Sequence, residues 1–274
     1  MILSNEMRRK LQKTQLEIAL ELKRICDDNN IDYFLDSGTL IGAIRHKGFI
    51  PWDDDLDVGM LRSEYEKFLK VAPKYLEKKF FLQTWYTDPQ YGLPFAKIRM
   101  QNTLYIEGTA ENVDAHAGIY IDIFPYDNYG NSQIKQGFHL TVIRRMIAVK
   151  SGYQQWKENS NRRLFKTVVY IPIRMISLFF SKKFLIKCYE RIAQKYNRID
   201  CKDRFENSSA NYSKWVVANS DIISTIDCSF EGHTFPIPIG YDNYLRRIYG
   251  DYMQLPPEEK RNSRHNIVNI KFED

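Results

Sequence analysis

A dense group of carboxylates marks the stretch IDYFLDSGTLIGAIRHKGFIPWDDDLDVGM, residues 31–60. In a β-strand, side chains at positions i and i+2 share one face, so we expect Asp53, Asp55 and Asp57 to converge. Asp54 would then point away from them. Three carboxylates on one face repel one another unless a cation lies between them. Oxygen-only ligands suit a hard divalent ion, and the stretch therefore predicts a site for Mg2+ or Mn2+.

A turn and a distant acid extend this predicted site. Gly38 and Thr39 lie at the start of a helix predicted over residues 39–46, and backbone N–H groups at a helix N-terminus attract phosphate. Asp122 lies between two isoleucines in the strand-like segment GIYIDIFPYD, where an unpaired buried acid is destabilising. Acids on adjacent strands can hold a metal that bridges phosphate oxygens. The pattern indicates a phosphoryl- or nucleotidyl-transfer site, with an acidic surface loop as the alternative.

Three motifs give the chain a family resemblance: GTLIGAIRHKGFIPWDDDLDVGM, GIYIDIFPYD and YLRRIYGDYMQLPP. Together they resemble the LicD family, whose members also resemble the catalytic domains of fukutin and fukutin-related protein. The resemblance is weakest across the basic helical region. It implies a nucleotidyltransferase-like fold and a metal-dependent transferase that uses a CDP-activated alcohol. LicD relatives move phosphocholine from CDP-choline to a sugar of a cell-surface glycan such as teichoic acid or lipopolysaccharide, and fukutin relatives move ribitol phosphate.

The resemblance also implies roles for individual residues. It implies that Asp53, Asp55 and Asp57 are the metal ligands. It also implies that Gly38 and Thr39 form the phosphate-binding turn and that Asp122 is the third acid of the fold. Thr39 stands where the family pattern has a serine and keeps the hydroxyl.

The residues themselves suggest how the transfer would work. A sugar hydroxyl needs a base or a metal to lose its proton, and Asp55, Asp57 or Asp122 can serve in either way. The phosphate charge needs cations, for which the candidates near the acids are Arg45, His46, Lys47, Lys97 and Arg99. Arg45 and Lys97 are the favoured pair because each lies in or next to a strand or turn near an acid. For each cation, a solvated surface charge is the alternative.

Strand and helix patterns predict an α+β fold, a nucleotidyltransferase-like mixed sheet flanked by helices with a basic helical insertion. We expect one unit over residues 1–274, with a core at 30–130, a basic helical region at 131–204 and a C-terminal segment at 205–274 that completes the site. The predicted helices cover residues 6–29, 64–76 with Ser63 as the cap, and 241–249. The predicted strands cover residues 33–36, 55–60, 80–85, 95–100, 104–107 and 119–124.

Basic charge is concentrated in one region. Residues 144–187 contain eleven Lys and Arg residues and one acid, which gives a local charge of +10 in a chain of net charge +6. The segment LFKTVVYIPIRMISLFF, residues 164–180, is too interrupted to span a bilayer and apolar enough to lie in its interface. We expect an anionic membrane surface, which would present a lipid-linked glycan acceptor, rather than nucleic acid. Solvated helix faces are the alternative.

Cysteine usage and the N-terminus bear on location. The four cysteines show no CxxC spacing, and the N-terminus lacks a signal-peptide core. We therefore expect a cytoplasmic protein, peripheral on the inner face of the plasma membrane.

The C-terminal part of the chain holds a group of tyrosines, Tyr241, Tyr244, Tyr249 and Tyr252. Tyrosine faces can bind a quaternary ammonium through cation-π contacts, but packing of a terminal helix on the core is the favoured interpretation. The pattern around His265 does not separate a site residue from a surface residue.

The predicted function is metal-dependent transfer of a phospho-alcohol group to a sugar hydroxyl of a cell-surface glycan precursor, with release of CMP. Phosphocholine from CDP-choline is the favoured group. Transfer of ribitol or glycerol phosphate, transfer of NMP to a small acceptor, and a binding protein without turnover are the alternatives.

Overall fold

A computed structural model describes residues 3–130, 133–153, 163–206, 215–262 and 265–273. The first helix, α1, runs over Asn5–Asn29 and begins after Ser4, whose hydroxyl accepts a hydrogen bond from the backbone N–H of Met7. It ends at Asn30, which adopts a left-handed conformation. Its apolar face is buried against α3, β4 and β6, as the helical spacing of its hydrophobic residues predicts.

A mixed sheet forms the centre of the protein. Its seven strands in the described part of the chain are β1 (Phe34–Leu35), β2 (Asp57–Leu61), β3 (Phe80–Gln83), β4 (Ala96–Met100), β6 (Tyr120–Asn128), β7 (Asp203–Glu206) and β8 (Val216–Ala218). The order is β1-β2-β6-β4-β3, and β7 pairs with the far end of β6 and with β8. β2 and β6 run parallel, and the other neighbours are antiparallel.

Helices and two small two-stranded sheets surround this sheet. The helices are α2 (Ser37–His46), α3 (Arg62–Tyr75), α4 (Gln133–Lys150), α5 (Arg163–Leu178), α6 (Lys182–Ala193), α7 (Asn219–Ile222) and α8 (Tyr241–Tyr249). The small sheets pair β5 (Leu104–Glu107) with β11 (Ile267–Lys271), and β9 (Thr225–Phe230) with β10 (His233–Pro238). A mixed sheet flanked by helices confirms the α+β prediction.

Several predicted boundaries are corrected by the structure. Ser63 is not the cap of α3, which begins at Arg62 without a side-chain cap. The Arg62 guanidinium instead forms a buried ion pair with Asp127, and this contact fixes the start of the helix. β2 begins at Asp57 rather than two residues earlier, because residues 53–56 form an irregular approach to the strand.

The basic region folds as α4, α5 and α6 around a second, smaller core. No helix in the described ranges is long and apolar enough to cross a membrane. Three charged residues of the predicted region, Lys157, Glu158 and Arg162, lie outside the described residues.

Candidate active site

A cavity of about 540 Å³ opens beside the carboxyl-rich edge of the central sheet. The structure brings together the four predicted metal ligands, because Asp53, Asp55, Asp57 and Asp122 all line this cavity. Asp53 and Asp55 come from the irregular approach to β2, whereas Asp57 and Asp122 lie on strands. Segments nearly 70 residues apart therefore supply one set of oxygen atoms.

Strand register explains how the acids meet. Asp57 on β2 lies directly beside Asp122 on the parallel strand β6. On the other side of Asp122, the antiparallel strand β4 places Lys97 opposite it. The Lys97 ammonium donates to Asp122 Oδ1 at 2.5 Å and lies 3.3 Å from the centre of the Tyr120 ring. Lys97 is buried and does not line the cavity, so it compensates the charge of Asp122 from within the sheet.

Burial and mutual repulsion shift the titration of these acids. Burial raises the pKa of Asp57 well above its usual value, and the charges of Asp55 and Asp122 raise it further. Burial also raises the pKa of Asp122, although its ion pair with Lys97 opposes that shift. Carboxylates that repel each other in this way are stabilised in their charged form by a bound cation.

The oxygen-only donor set fits a hard divalent ion. One carboxylate oxygen from each of Asp53, Asp54 and Asp55 lies within 4.8 Å of the others, close enough to share an ion. Asp54 does not line the cavity, however, because its side chain is held elsewhere. We therefore assign the candidate metal centre to the four acids that face the cavity.

Asp54 has a role that strand alternation fails to predict. Its buried carboxylate accepts a hydrogen bond from the Tyr105 hydroxyl at 3.1 Å and lies 3.1 Å from His265 Nδ1. His265 lines the cavity and comes within 3.9 Å of Asp55. Burial lowers the pKa of His265, but the contact with Asp54 and the nearby charges of Asp55 and Glu107 outweigh it and raise the pKa to about 10. His265 is thus a cation at the edge of the acid cluster.

The two residues of the predicted phosphate-binding turn, Gly38 and Thr39, occupy different environments. Gly38 lines the cavity, and a Cβ at this position would lie 3.0 Å from Asp53 Oδ2, so a larger residue would crowd the acids. Thr39 is buried, and its hydroxyl accepts from the backbone N–H of Asp57 at 2.9 Å. Thr39 therefore ties α2 to β2 and is not among the cavity-lining residues. Ser37, which the sequence reasoning missed, lines the cavity with positive φ.

The favoured cation Arg45 is also placed outside the cavity lining. Its Nη1 donates to the carbonyl of Tyr252 at 2.5 Å and to that of Gln254 at 3.4 Å. Arg45 therefore fastens the C-terminal segment to α2 and is not among the residues that line the cavity. Arg144 on α4 lines the cavity instead, and its buried Nη1 has no hydrogen-bond partner among the described residues. Only the tertiary packing of α4 brings Arg144 to the site.

The C-terminal tyrosines separate into two groups. Tyr244 is buried, and its hydroxyl donates to Asp36, which also accepts from Tyr126. Burial raises the pKa of Asp36 to about 6 despite these hydrogen bonds. Tyr252 is buried as well. Packing thus explains these residues, whereas Tyr249 lines the cavity.

Known proteins are similar to this chain in sequence. A family model described as the nucleotidyltransferase domain of LicD, FKTN and FKRP matches residues 30–154. The lipopolysaccharide cholinephosphotransferase LicD of Haemophilus influenzae is 31% identical over 261 residues, which cover 94% of this chain and 95% of that protein.

Two uncharacterized Rickettsia proteins match a shorter segment of 59 residues. The protein from Rickettsia typhi is 49% identical over 22% of this chain and 19% of its own length. The protein from Rickettsia prowazekii is 47% identical over 22% of each chain. The full-length match and the family match confirm the prediction of a phosphotransferase enzyme. The chain belongs to the LicD family.

Proposed function

We propose that this enzyme transfers phosphocholine from CDP-choline to a sugar hydroxyl of a cell-surface glycan precursor and releases CMP. The observation that carries the proposal is the register of β2 and β6, which sets Asp57 beside Asp122 in the cavity that Asp53 and Asp55 also line. The similarity to a lipopolysaccharide cholinephosphotransferase over nearly the whole chain supports the choice of group and of acceptor class.

The chemistry follows from the cavity-lining residues. The acceptor oxygen forms a bond to the phosphorus that carries choline, and the bond from that phosphorus to the CMP oxygen breaks. A carboxylate of Asp55, Asp57 or Asp122 takes the hydroxyl proton. Mg2+ or Mn2+ held by the acids would neutralise charge on the phosphate oxygens.

Two features of the chain favour an anionic donor in the cavity. Gly38 lies in the first turn of α2, where backbone N–H groups favour negative charge. Arg144 brings a buried guanidinium N–H without a partner among described residues, and a leaving phosphate would satisfy it. We propose Arg144, in place of Arg45, as the cation that holds the departing CMP.

A panel of CDP-choline, CDP-ribitol and CDP-glycerol with Mg2+ tests this function through CMP release. We expect the fastest release from CDP-choline, and a loss of at least about 100-fold in Asp57→Asn, because one metal ligand and its charge are removed. Asp28→Asn, an exposed acid on α1, is the matched control. Faster CMP release from CDP-ribitol or CDP-glycerol would show that ribitol phosphate or glycerol phosphate, and not phosphocholine, is the transferred group. Release of pyrophosphate from an NTP would indicate NMP transfer instead.

We also propose that the enzyme docks on an anionic membrane at the cytoplasmic face, where a lipid-linked glycan precursor would be presented. The C-terminal half of α5 and the turn that follows expose large apolar side chains, with Phe179 85% and Leu178 67% exposed. The remaining members of this surface are Ile171, Met175, Ile176, Phe180 and Phe184. Arg174, Lys183 and Lys187 are exposed beside it. Apolar and basic side chains together favour an interface rich in anionic lipid.

Vesicle binding tests the membrane proposal. Phe179→Asp and Lys183→Glu should each weaken sedimentation with anionic phosphatidylglycerol vesicles several-fold. Lys182 is a poor choice for this test, since its ammonium donates to the carbonyls of Pro89 and Tyr91. Ile223→Asp alters another exposed apolar residue, 57% exposed, which lies outside this surface, and the variant should bind as the wild type does. Equal vesicle binding by the wild type and all three variants would contradict the membrane proposal.

A further inference from the structure

The corner of the cavity beside β5 and β11 is lined by polar side chains. Glu107 is the last residue of β5, Thr109 follows it closely, and Asn262 lies in the chain that leads to β11. Thr109 and Asn262 are exposed, so this corner is open to solvent. The mouth of the cavity therefore offers a carboxylate, a hydroxyl and an amide to a ligand.

Backbone pairing fixes the position of Glu107. It is the register partner of Ile267 on β11, and the backbone N–H of the next residue, Gly108, donates to the carbonyl of Asn266 at 2.8 Å. The chain then turns, and Thr109 lies in this turn. Two paired strands therefore hold Glu107 and the turn that follows it at a fixed place beside the cavity.

The Glu107 carboxylate is able to accept further hydrogen bonds. Its Oε1 accepts from the Tyr120 hydroxyl at 2.5 Å, and no hydrogen bond among the described residues engages its Oε2. Burial raises the pKa of Glu107, but the charges of His265 and Lys97 outweigh burial and lower the pKa below its usual value. Glu107 is therefore charged at neutral pH, and a charged carboxylate only accepts hydrogen bonds.

This corner adjoins the candidate metal centre. His265, which lies 3.9 Å from Asp55, comes two residues before the register partner of Glu107. Tyr120, whose hydroxyl donates to Glu107, shares one face of β6 with Asp122 and is separated from it by about 7 Å along the strand. A molecule bound at this corner therefore lies next to the acids that face the cavity.

The chemistry of the corner favours a neutral molecule that carries several hydroxyl groups. Sugar hydroxyls donate charge-assisted hydrogen bonds to a carboxylate, and they exchange hydrogen bonds with hydroxyl and amide side chains. The charge of Glu107 repels phosphate. The ribose of a CDP ester has hydroxyl groups too, but a glycan extends beyond the cavity and needs an open corner. The exposure of Thr109 and Asn262 therefore favours the acceptor over the ribose.

We propose that Glu107, Thr109 and Asn262 form the subsite that binds the acceptor sugar through its hydroxyl groups. This inference rests on the proposed function, since it names the residues that recognise the acceptor of that reaction. It places the acceptor at the end of the cavity beside β5 and β11, where a further hydroxyl of the bound sugar faces the acids.

Calorimetric titration of the full chain with Mg2+ tests the subsite with two probes. They are CDP-choline and the lipid-free oligosaccharide of a lipopolysaccharide that lacks phosphocholine. Glu107→Gln should weaken oligosaccharide binding roughly tenfold, because a charge-assisted hydrogen bond becomes a neutral one. Thr109→Val and Asn262→Ala should each weaken it about threefold. The affinity for CDP-choline should change less than about twofold in all three variants.

Glu111→Gln is the matched control for the loss of charge. Glu111 is an exposed acid in the loop that follows β5, and it does not line the cavity. This variant should bind both probes as the wild type does. Thr109→Val and Asn262→Ala change exposed side chains, so they test the subsite even if Glu107→Gln fails to fold.

The outcomes separate acceptor from donor, and the subsite from the proposed function. Weaker CDP-choline binding, alone or by the same factor as oligosaccharide binding, would overturn the subsite, because it would place the donor or a folding defect at this corner. Oligosaccharide binding that is absent in the wild type, or unchanged in all three variants, would also overturn it. A protein that shows the expected binding pattern but releases no CMP from CDP-choline would contradict the proposed function and leave the subsite supported.

Discussion

At the scale of single residues, Asp54 and His265 form a charged pair behind the carboxylates that face the cavity. The buried Asp54 side chain orients both His265 and the Tyr105 hydroxyl. His265 in turn lies 3.9 Å from Asp55. We expect the pair to fix the position of Asp55 and to reduce the repulsion within the acid cluster.

A titration of His265 tests this pair. In the metal-free protein its imidazole should remain protonated through pH 8, because the contact with Asp54 holds its pKa at about 10. A folded-state pKa above the unfolded value of about 6.5 means that the pair stabilises the fold fully below pH 6.5 and loses this contribution as pH rises through 10.

Nuclear magnetic resonance of the histidine side chains measures this pKa directly. Asp54→Asn should lower the pKa of His265 by at least one unit. A wild-type pKa below 7 for His265 would contradict the pairing.

Sequence reasoning reached some of these residues and not others. Asp57 and Asp122 could be predicted because an acid inside an apolar strand is unusual whatever surrounds it. Thr39 and Arg45 have side chains that could bind phosphate and lie near the acids in sequence. In the fold, however, the Thr39 hydroxyl accepts from a backbone N–H and the Arg45 guanidinium donates to two backbone carbonyls. Such contacts arise from tertiary packing, which a local pattern does not contain.

At the scale of elements, three neighbouring strands determine the electrostatics of the site. β2 and β4 flank β6, so Asp122 has Asp57 on one side and Lys97 on the other. The charge of Asp122 is thus compensated within the sheet by Lys97, whereas Asp57 lies beside the further acids of the cavity. The order of these strands sets this difference.

Removing the cation from β4 tests this arrangement. Lys97→Met should lower the free energy of unfolding at pH 7 by about 3–5 kcal/mol, because it leaves Asp122 buried and uncompensated. Lys23→Met removes a lysine from an exposed ion pair with Asp27 on α1 and should lower it by less than about 1 kcal/mol. Urea unfolding measures both values. A loss below about 1 kcal/mol in Lys97→Met would show that Lys97 does not stabilise the Asp122 carboxylate.

Element boundaries show where periodicity suffices. α1 and α8 match their predicted spans closely, since a buried apolar face repeats along each helix. Strand alternation predicts the convergence of Asp53, Asp55 and Asp57, yet only Asp57 belongs to β2. Their convergence comes from the irregular chain that leads to β2. A period-2 pattern cannot distinguish these two structures.

At the scale of the whole molecule, the cavity joins the acidic motif to the second half of the chain. Arg144, Glu206, Trp215, Tyr249 and His265 line it together with the acids. The sequence could indicate the acidic end, because Asp53, Asp55 and Asp57 cluster in one short motif and Asp122 interrupts an apolar strand. It could not indicate the other end, whose residues are scattered over more than 100 positions and meet only through the fold.

The division of the cavity predicts the products of a complete reaction. Wild-type protein incubated with CDP-choline, Mg2+ and lipopolysaccharide lacking phosphocholine should yield CMP and phosphocholine-modified glycan in equal amounts, as determined by mass spectrometry. Asp57→Asn should yield neither product above about 1% of the wild-type level, a loss typical of removing a metal ligand and its charge. A glycan that carries a nucleotide, or undiminished phosphocholine transfer by Asp57→Asn, would contradict a metal-dependent phosphocholine transferase.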